Sequence, residues 1–167
     1  MNYAAIYDCD VANGIGWRVS LFVSGCTLHC KGCFNQKAWD FNFGNKYTKE
    51  TEDKIIELLK RPFIKGLSLL GGNPTEPENE PDLIALCERV TKELPDKDIW
   101  MWTGHDYSEL KKNGDKLITY CDVIIDGKFD IDLKDTSVPF RGSRNQHLII
   151  RDRETGQEII LGDEKTS

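Results

Sequence analysis

The sequence predicts an α/β fold built on a parallel sheet, and three observations support this prediction. Apolar strand-like segments alternate with amphipathic helical segments between residues 19 and 126. The segment 99–103 is apolar on both faces, as strands of a covered parallel sheet tend to be. Only four βα units can be recognised, fewer than the eight of a complete barrel. We therefore expect a partial βα barrel or an open sheet, with right-handed crossovers and helices outside.

The individual elements are predicted from periodicity and from their end signals. Strands are expected at 19–23, 66–70, 99–103 and 121–126, and helices at 48–60, 81–94 and 106–112. Thr48 suits a helix N-cap, and Pro81 suits the first turn of the second helix. The segments 147–151 and 157–161 flank a Glu-Thr-Gly turn and predict a C-terminal hairpin, while residues 161–167 are expected to form a frayed tail.

Length and composition set the general class of the protein. The 167 residues are expected to form a single domain, 1–167, with 30% charged residues and a formal net charge of −6. No apolar stretch approaches a membrane span, and the N-terminus lacks the profile of a signal peptide, so we expect a cytoplasmic protein without a membrane partner. No dense basic stretch is present, which argues against nucleic acid as a partner.

Three of the six cysteines, Cys26, Cys30 and Cys33, lie close together just after the first predicted strand. A zinc site usually has a second, separated ligand pair, which this sequence lacks, and a disulfide would leave one cysteine over. An iron–sulfur cluster fits better, because three thiolates can hold three irons of a four-iron cluster and leave the fourth iron free. The sequence thus predicts a metal centre with an open coordination position.

The other three cysteines are Cys9, Cys87 and Cys121, and all have apolar sequence neighbours. We expect each to be a small buried apolar residue. The alternative is that the fold brings one of them to the metal as a fourth ligand.

Unusual loops follow each predicted strand of the sheet. They contain the cysteines, Gly71-Gly72, Thr103-Gly104 and Asp126-Gly127. Ligands of parallel α/β sheets bind at the carboxyl ends of the strands. These loops therefore predict one active site. The alternatives are that Gly71-Gly72 is a plain tight turn and that Asp126-Gly127-Lys128 is a strand-ending turn with solvated charges.

The motif Cys26-x-x-x-Cys30-x-x-Cys33, followed by the aromatic Phe34, resembles the signature of the radical S-adenosylmethionine enzymes. The resemblance implies a partial βα barrel of that family's type and one [4Fe-4S] cluster whose free iron is chelated by S-adenosyl-L-methionine. In that family, one electron from the cluster splits the sulfonium and yields a 5′-deoxyadenosyl radical. The protein supplies position and shielding, so no side chain is assigned a catalytic role beyond the cluster and the bound S-adenosylmethionine.

The resemblance also implies which residues bind S-adenosylmethionine. The segment Gly71-Gly72-Asn73-Pro74 is similar to the family's Gly-Gly-acid-Pro segment, which holds the amino group, with Asn73 in place of the acid. Asp126 and Lys128 stand where related activating enzymes contact the ribose and the methionine carboxylate. The implied cofactor-binding residues are Gly32, Cys33, Phe34, Gly71, Gly72, Asn73, Asp126 and Lys128.

Four further segments narrow the resemblance to the activating proteins of anaerobic (class III) ribonucleotide reductase. These segments are 11–18, with Ile15 where proline is usual, 98–104, 122–129 and 141–146. The resemblance implies that the partner is the glycyl radical subunit of anaerobic ribonucleoside-triphosphate reductase and that the electron comes from a donor such as flavodoxin. Two alternatives are an activase of another glycyl radical enzyme, of the pyruvate formate-lyase type, and a non-catalytic zinc or iron–sulfur binding module.

Overall fold

The computed structural model describes residues 1–33 and 36–162, which form one eight-stranded sheet and three α-helices. The strands are β1 (Asn2–Asp10), β2 (Trp17–Val23), β3 (Asn45–Lys46), β4 (Ile64–Gly71), β5 (Asp98–Trp102), β6 (Val123–Asp126), β7 (His147–Arg151) and β8 (Glu158–Leu161). The helices are α1 (Lys49–Leu59), α2 (Glu80–Glu93) and α3 (Tyr107–Lys112). Short 3₁₀ turns cover Gln36–Trp39, Leu117–Tyr120 and Ile131–Leu133. No helix among these residues is long and apolar enough to cross a membrane.

The sheet is mixed, with the strand order β3-β1-β2-β4-β5-β6-β7-β8. The neighbours β2, β4, β5 and β6 are parallel, as predicted for the four βα units. The outer pairs β3-β1, β1-β2, β6-β7 and β7-β8 are antiparallel, so the prediction of a parallel sheet is wrong for four of the seven pairs. The fold class is therefore mixed α/β, with parallel strands only at its centre.

The sequence analysis missed β1, which pairs with β2 from Tyr3 opposite Val23 to Asp10 opposite Arg18. Residues on both faces of this strand are partly buried, its last part is mostly exposed, and its register with β2 is irregular. Its sequence accordingly lacks the strict alternation of apolar and polar residues that predicts a strand. The C-terminal hairpin is confirmed as β7 and β8, in which Leu148 pairs with Leu161. Leu161, where we expected the tail to begin, is thus the last residue of β8, and residues 163–167 lie outside the described part.

The helices begin and end where the sequence provides end signals. The Thr48 hydroxyl accepts the Thr51 N–H, and the Thr51 hydroxyl accepts the Thr48 N–H, which satisfies two free donors at the start of α1. Pro81 lies in the first turn of α2, where a missing N–H costs nothing. All three predicted helices are confirmed.

The two faces of the central strands differ in chemistry. Leu21, Leu69 and Ile99 on one face pack in the main core with Ile55 of α1 and Leu86 of α2. The opposite face carries buried polar groups, including Arg18, Ser20 and Ser68, beside a smaller apolar cluster around Trp100, Val123 and Ile125. Because β2, β4, β5 and β6 run in the same direction, their carboxyl ends share one edge of the sheet, and the candidate site lies there.

The three cysteines outside the motif differ from one another. Cys87 and Cys121 are fully buried, as predicted, and burial raises the pKa of both thiols. Cys9 is exposed on β1, so the prediction that it is buried is wrong. It lies at the exposed end of an outer strand that the sequence analysis did not recognise.

Candidate metal centre

The cysteine loop, residues 24–33, begins directly after β2 at the carboxyl edge of the sheet. Cys26 and Cys30 are buried, Cys33 is half-buried, and all three are free thiols. Gly25 and Gly32 adopt φ values of 104° and 79°, in the region that glycine enters without strain. These two glycines let the chain fold back sharply, so that eight residues present all three thiols on one loop.

The sulfur of Cys26 lies among backbone donors. The backbone N–H groups of Leu28 and His29 favour the thiolate of Cys26 and act to lower its pKa. Burial is the largest influence and raises the pKa of Cys26, and the negative charges of Glu76 and Cys30 raise it further. Backbone N–H groups directed at sulfur are a means by which proteins tune iron–sulfur clusters. The donor set of the loop therefore fits a cluster held by three thiolates.

The three thiols do not converge on one point among the described residues. Within residues 1–33 and 36–162, no three His, Cys, Asp or Glu side chains approach closely enough to share one metal ion. The ligands of a four-iron cluster need not meet at one point, because each thiolate binds a different iron. The His29 ring stacks on Trp39 with 4.3 Å between ring centroids, which accounts for this histidine as a packing residue.

The loop after β4 is attached to the cysteine loop by its backbone. Gly72 N–H donates to the Val23 carbonyl oxygen at 2.7 Å, and Asn73 N–H donates to the Gly25 carbonyl oxygen at 2.8 Å. A β-carbon at Gly72 would lie 2.5 Å from that Gly25 oxygen and 2.9 Å from the Ala38 oxygen. Gly72 is therefore required for the close approach of two backbone segments.

The loops after β5 and β6 also meet the cysteine loop. A β-carbon at Gly104 would overlap the Leu28 side chain, and one at Gly32 would lie 2.8 Å from Ile131. The predicted convergence of the strand-end loops is thus confirmed for the loops after β2, β4, β5 and β6. Phe34, which we also predicted to bind the cofactor, lies outside the described residues.

Replacing Gly72 with alanine is expected to destabilise the fold by about 1–3 kcal/mol, because the added methyl group has only backbone atoms to displace. The clash pushes the cysteine loop away from β4, so iron incorporation on reconstitution should also fall. Iron content per chain and urea unfolding measure the two effects. Gly114→Ala is the control, since its β-carbon meets nothing within 4 Å and only its positive φ is strained; equal iron content in both variants would contradict the prediction.

Asn73 is buried and its amide is fully engaged with protein groups. Its Oδ1 accepts from the hydroxyls of Thr103 at 3.1 Å and Thr75 at 3.2 Å. Its Nδ2 lies 3.3 Å from Glu76 Oε2 and 3.4 Å from His105 Nδ1, and His105 Nδ1 is 2.6 Å from the Thr75 hydroxyl. This amide therefore joins the loops after β4 and β5, and His105 belongs to the same network.

Sequence reasoning missed Glu76, which the structure places beside the cysteines. Its carboxylate accepts the Thr27 N–H at 2.8 Å and the Thr27 hydroxyl at 2.9 Å. The available signal was a cluster of polar residues, Asn73 to Glu76, immediately after a buried strand.

Asp126 is buried at the end of β6, and both of its carboxylate oxygens contact protein donors. Oδ2 accepts the Tyr107 N–H at 2.6 Å, and Oδ1 accepts the His147 N–H at 3.0 Å and lies 2.9 Å from His147 Nδ1. Asp126 thus connects the start of α3 with the start of β7. Lys128 is exposed two residues further on. The contacts of these two residues with S-adenosylmethionine stay predictions.

The segment 141–146 fixes the loop that follows β6. Gln146 Oε1 accepts the Gly142 N–H at 2.7 Å, and Gln146 Nε2 donates to the Gly127 oxygen at 2.8 Å. Asn145 Nδ2 donates to the Lys128 oxygen at 2.7 Å. The resemblance in this segment therefore has a structural basis, because these side chains hold the loop that carries Lys128 and leads to Ile131.

Comparison with known proteins agrees with this geometry. The family model described as "4Fe-4S single cluster domain" matches residues 12–149. A protein of Vibrio cholerae serotype O1 named anaerobic ribonucleoside-triphosphate reductase-activating protein is 50% identical over 148 residues, covering 87% of this chain and 96% of that protein. Proteins of the same name from Escherichia coli K12 and Enterobacteria phage T4 are 47% and 42% identical over 148 residues, covering 87% and 89% of this chain and 96% and 93% of those proteins.

These matches extend over the cysteine loop and over every strand-end loop that packs against it. The chain therefore belongs to the 4Fe-4S single-cluster domain family and to the family of anaerobic ribonucleoside-triphosphate reductase-activating proteins.

Proposed function

We propose that this protein activates an anaerobic ribonucleoside-triphosphate reductase by generating a glycyl radical on it. The observation that carries the proposal is that three free thiols lie on one loop against which three further strand-end loops pack, in a chain half identical to a named activating protein. Cys26, Cys30 and Cys33 would hold a [4Fe-4S] cluster, which would supply the one electron that splits S-adenosylmethionine into methionine and a 5′-deoxyadenosyl radical. That radical would remove a hydrogen atom from a glycine of the reductase.

The chain's own residues are proposed to bind and orient S-adenosylmethionine at the carboxyl edge of the sheet. The proposed binding residues are Gly32, Cys33, Phe34, Gly71, Gly72, Asn73, Asp126 and Lys128. The close approach of Gly72 to the cysteine loop supports a backbone surface there that a ligand can contact without side chains intervening. The burial of Cys26 and Cys30 supports a role of the loop in excluding water.

The proposal extends to the fold and to the electron donor. We propose that the parallel strands β2, β4, β5 and β6 form an incomplete βα barrel within one domain, whose open side admits a protein loop of the reductase. The electron is proposed to come from a one-electron donor of the flavodoxin type.

Anaerobic reconstitution with iron and sulfide, followed by reduction in the presence of S-adenosylmethionine and the reductase, tests this function. The expected results are a brown protein with thiolate-to-iron absorption, 5′-deoxyadenosine, and a glycyl radical signal in electron paramagnetic resonance. Pyruvate formate-lyase in place of the reductase tests the other class of partner. A colourless protein that binds one zinc ion and produces no 5′-deoxyadenosine would overturn the proposal.

A further inference from the structure

Glu76 is a buried carboxylate that lies between the cysteine loop and the loop after β4. Only 2% of its surface is exposed. The carboxylate accepts hydrogen bonds from the Thr27 N–H and hydroxyl, and Oε2 is 3.3 Å from Asn73 Nδ2. Thr27 directly follows the first cluster ligand, Cys26, so the charge of Glu76 lies one peptide unit from that ligand.

No cation neutralises this carboxylate among the residues that the structure describes. The ion pairs found within 1–33 and 36–162 involve other acidic residues, and the donors to Glu76 are a peptide N–H, a hydroxyl and an amide. Hydrogen bonds from neutral donors stabilise a buried carboxylate without removing its charge. The hydrogen bonds to Thr27 bring this charge close to Cys26, the preceding residue.

We propose that Glu76 tunes the metal centre, its negative charge making the cluster bound by Cys26, Cys30 and Cys33 harder to reduce and therefore more strongly reducing once it is reduced. The inference rests on the proposed function. One electron is transferred from the external donor to the cluster, which raises the negative charge of the cluster by one. A fixed negative charge nearby disfavours this step and lowers the reduction potential, which depends on net charge and on hydrogen bonds to the sulfurs.

The role assigned to Glu76 has a functional consequence. Splitting a sulfonium requires an electron at low potential, so a carboxylate that lowers the potential increases the driving force toward S-adenosylmethionine. The side chain at residue 73 is an uncharged amide, so within the Asn73 to Glu76 segment the negative charge is carried by Glu76 alone. Glu76 is a tuning residue, since it acts through its charge and does not touch the reacting atoms.

The test compares Glu76→Gln with Glu78→Gln in the reconstituted full-length chain. Both variants lose one carboxylate from the same loop, but Glu78 is exposed and solvent screens its charge. Redox titration followed by electron paramagnetic resonance gives the midpoint potential of the cluster. We expect Glu76→Gln to favour the reduced cluster about tenfold at a fixed potential, a shift of about 59 mV to less negative values for a one-electron couple. Glu78→Gln should match the unaltered protein.

Glu76→Asp separates charge from contact. Aspartate keeps the negative charge, but its shorter side chain cannot hold the hydrogen bonds to Thr27 in the same positions. A potential close to that of the unaltered protein supports the proposal, whereas a shift as large as that of Glu76→Gln shows that the contact sets the potential and overturns it.

Three further outcomes also overturn the proposal. Equal potentials in Glu76→Gln and Glu78→Gln show that the charge of Glu76 has no special effect. Failure of Glu76→Gln to retain the cluster also overturns the proposal, because removing a negative charge should ease the binding of an anionic cluster. That result would show that Glu76 is needed to hold the cysteine loop in place. If the unaltered protein holds no four-iron cluster, the proposed function fails together with the role of Glu76. Normal glycyl radical formation with equal midpoint potentials in Glu76→Gln and Glu78→Gln rejects only the role of Glu76.

Discussion

Replacing any one of Cys26, Cys30 or Cys33 with alanine is expected to reduce glycyl radical formation on the reductase below detection. Each thiolate is proposed to hold one iron, so the loss of any one of them removes a ligand that the cluster requires. Iron and sulfide per chain should fall in parallel. Electron paramagnetic resonance of the reductase glycyl radical and the yield of 5′-deoxyadenosine measure the loss.

Cys9→Ala is the control for these substitutions. Cys9 is an exposed free thiol on β1, so its loss should leave both cluster content and activation unchanged. Retained radical formation in any of the three motif variants would refute the ligand assignment. An equal loss in Cys9→Ala would instead indicate that cysteine chemistry elsewhere in the chain is required.

The ligand-bearing part of the site could be predicted from sequence because it is local. Three cysteines within eight residues lie close together in any fold. Glycines at the ends of strands mark places where two backbone segments approach each other. Gly72 and Gly104 both lie close to the cysteine loop in the structure. The parallel order of β2, β4, β5 and β6 followed from the alternation of strand and helix.

Features that depend on long-range contacts could not be predicted in this way. β1 is recognisable as a strand only through its pairing with β2, because its own residues do not alternate. In the sequence, Glu76 is one of several acidic residues in a polar segment, and only the fold shows that it contacts Thr27. Asp126 was predicted from resemblance to contact S-adenosylmethionine, and only the fold shows that its oxygens also contact Tyr107 and His147. A sequence motif therefore gives the residue and its element, but not the protein groups that its side chain contacts.

The segment 11–18 shows how a resemblance can conceal a structural role. Gly14 and Gly16 have φ values of 120° and 85°, and a β-carbon at Gly14 would lie 2.7 Å from the Arg18 side chain. The Ile15 oxygen accepts from Arg18 Nη1 at 3.0 Å, and the Asn13 oxygen accepts from the Ser68 hydroxyl. The turn before β2 therefore wraps around a buried arginine, which explains the need for glycines there.

Arg18→Met is expected to destabilise the protein by about 3 kcal/mol or more. Arg18 is fully buried, and burial lowers the pKa of its guanidinium while the neighbouring Asp98 opposes that effect. Nη2 lies 2.7 Å from Asp98 Oδ1 and donates to the Leu67 oxygen at 2.9 Å, and Nε donates to the Ser68 hydroxyl at 2.7 Å. Methionine fills part of the volume but leaves these acceptors without a donor. Urea unfolding under reducing conditions measures the loss.

Arg89→Met is the matched control, and it separates burial from the number of ion pairs. Arg89 contacts three acidic residues, Glu52, Asp53 and Glu93, but its side chain on α2 stays partly exposed to solvent. Surface pairs contribute about 0–1 kcal/mol each because solvent screens them and ordering the side chains costs entropy. If the number of ion pairs decided stability, Arg89→Met would be the more damaging change. We expect the opposite order, since Arg18 alone leaves buried oxygen acceptors between β2, β4 and β5 without a donor, and a smaller loss in Arg18→Met than in Arg89→Met would refute this account.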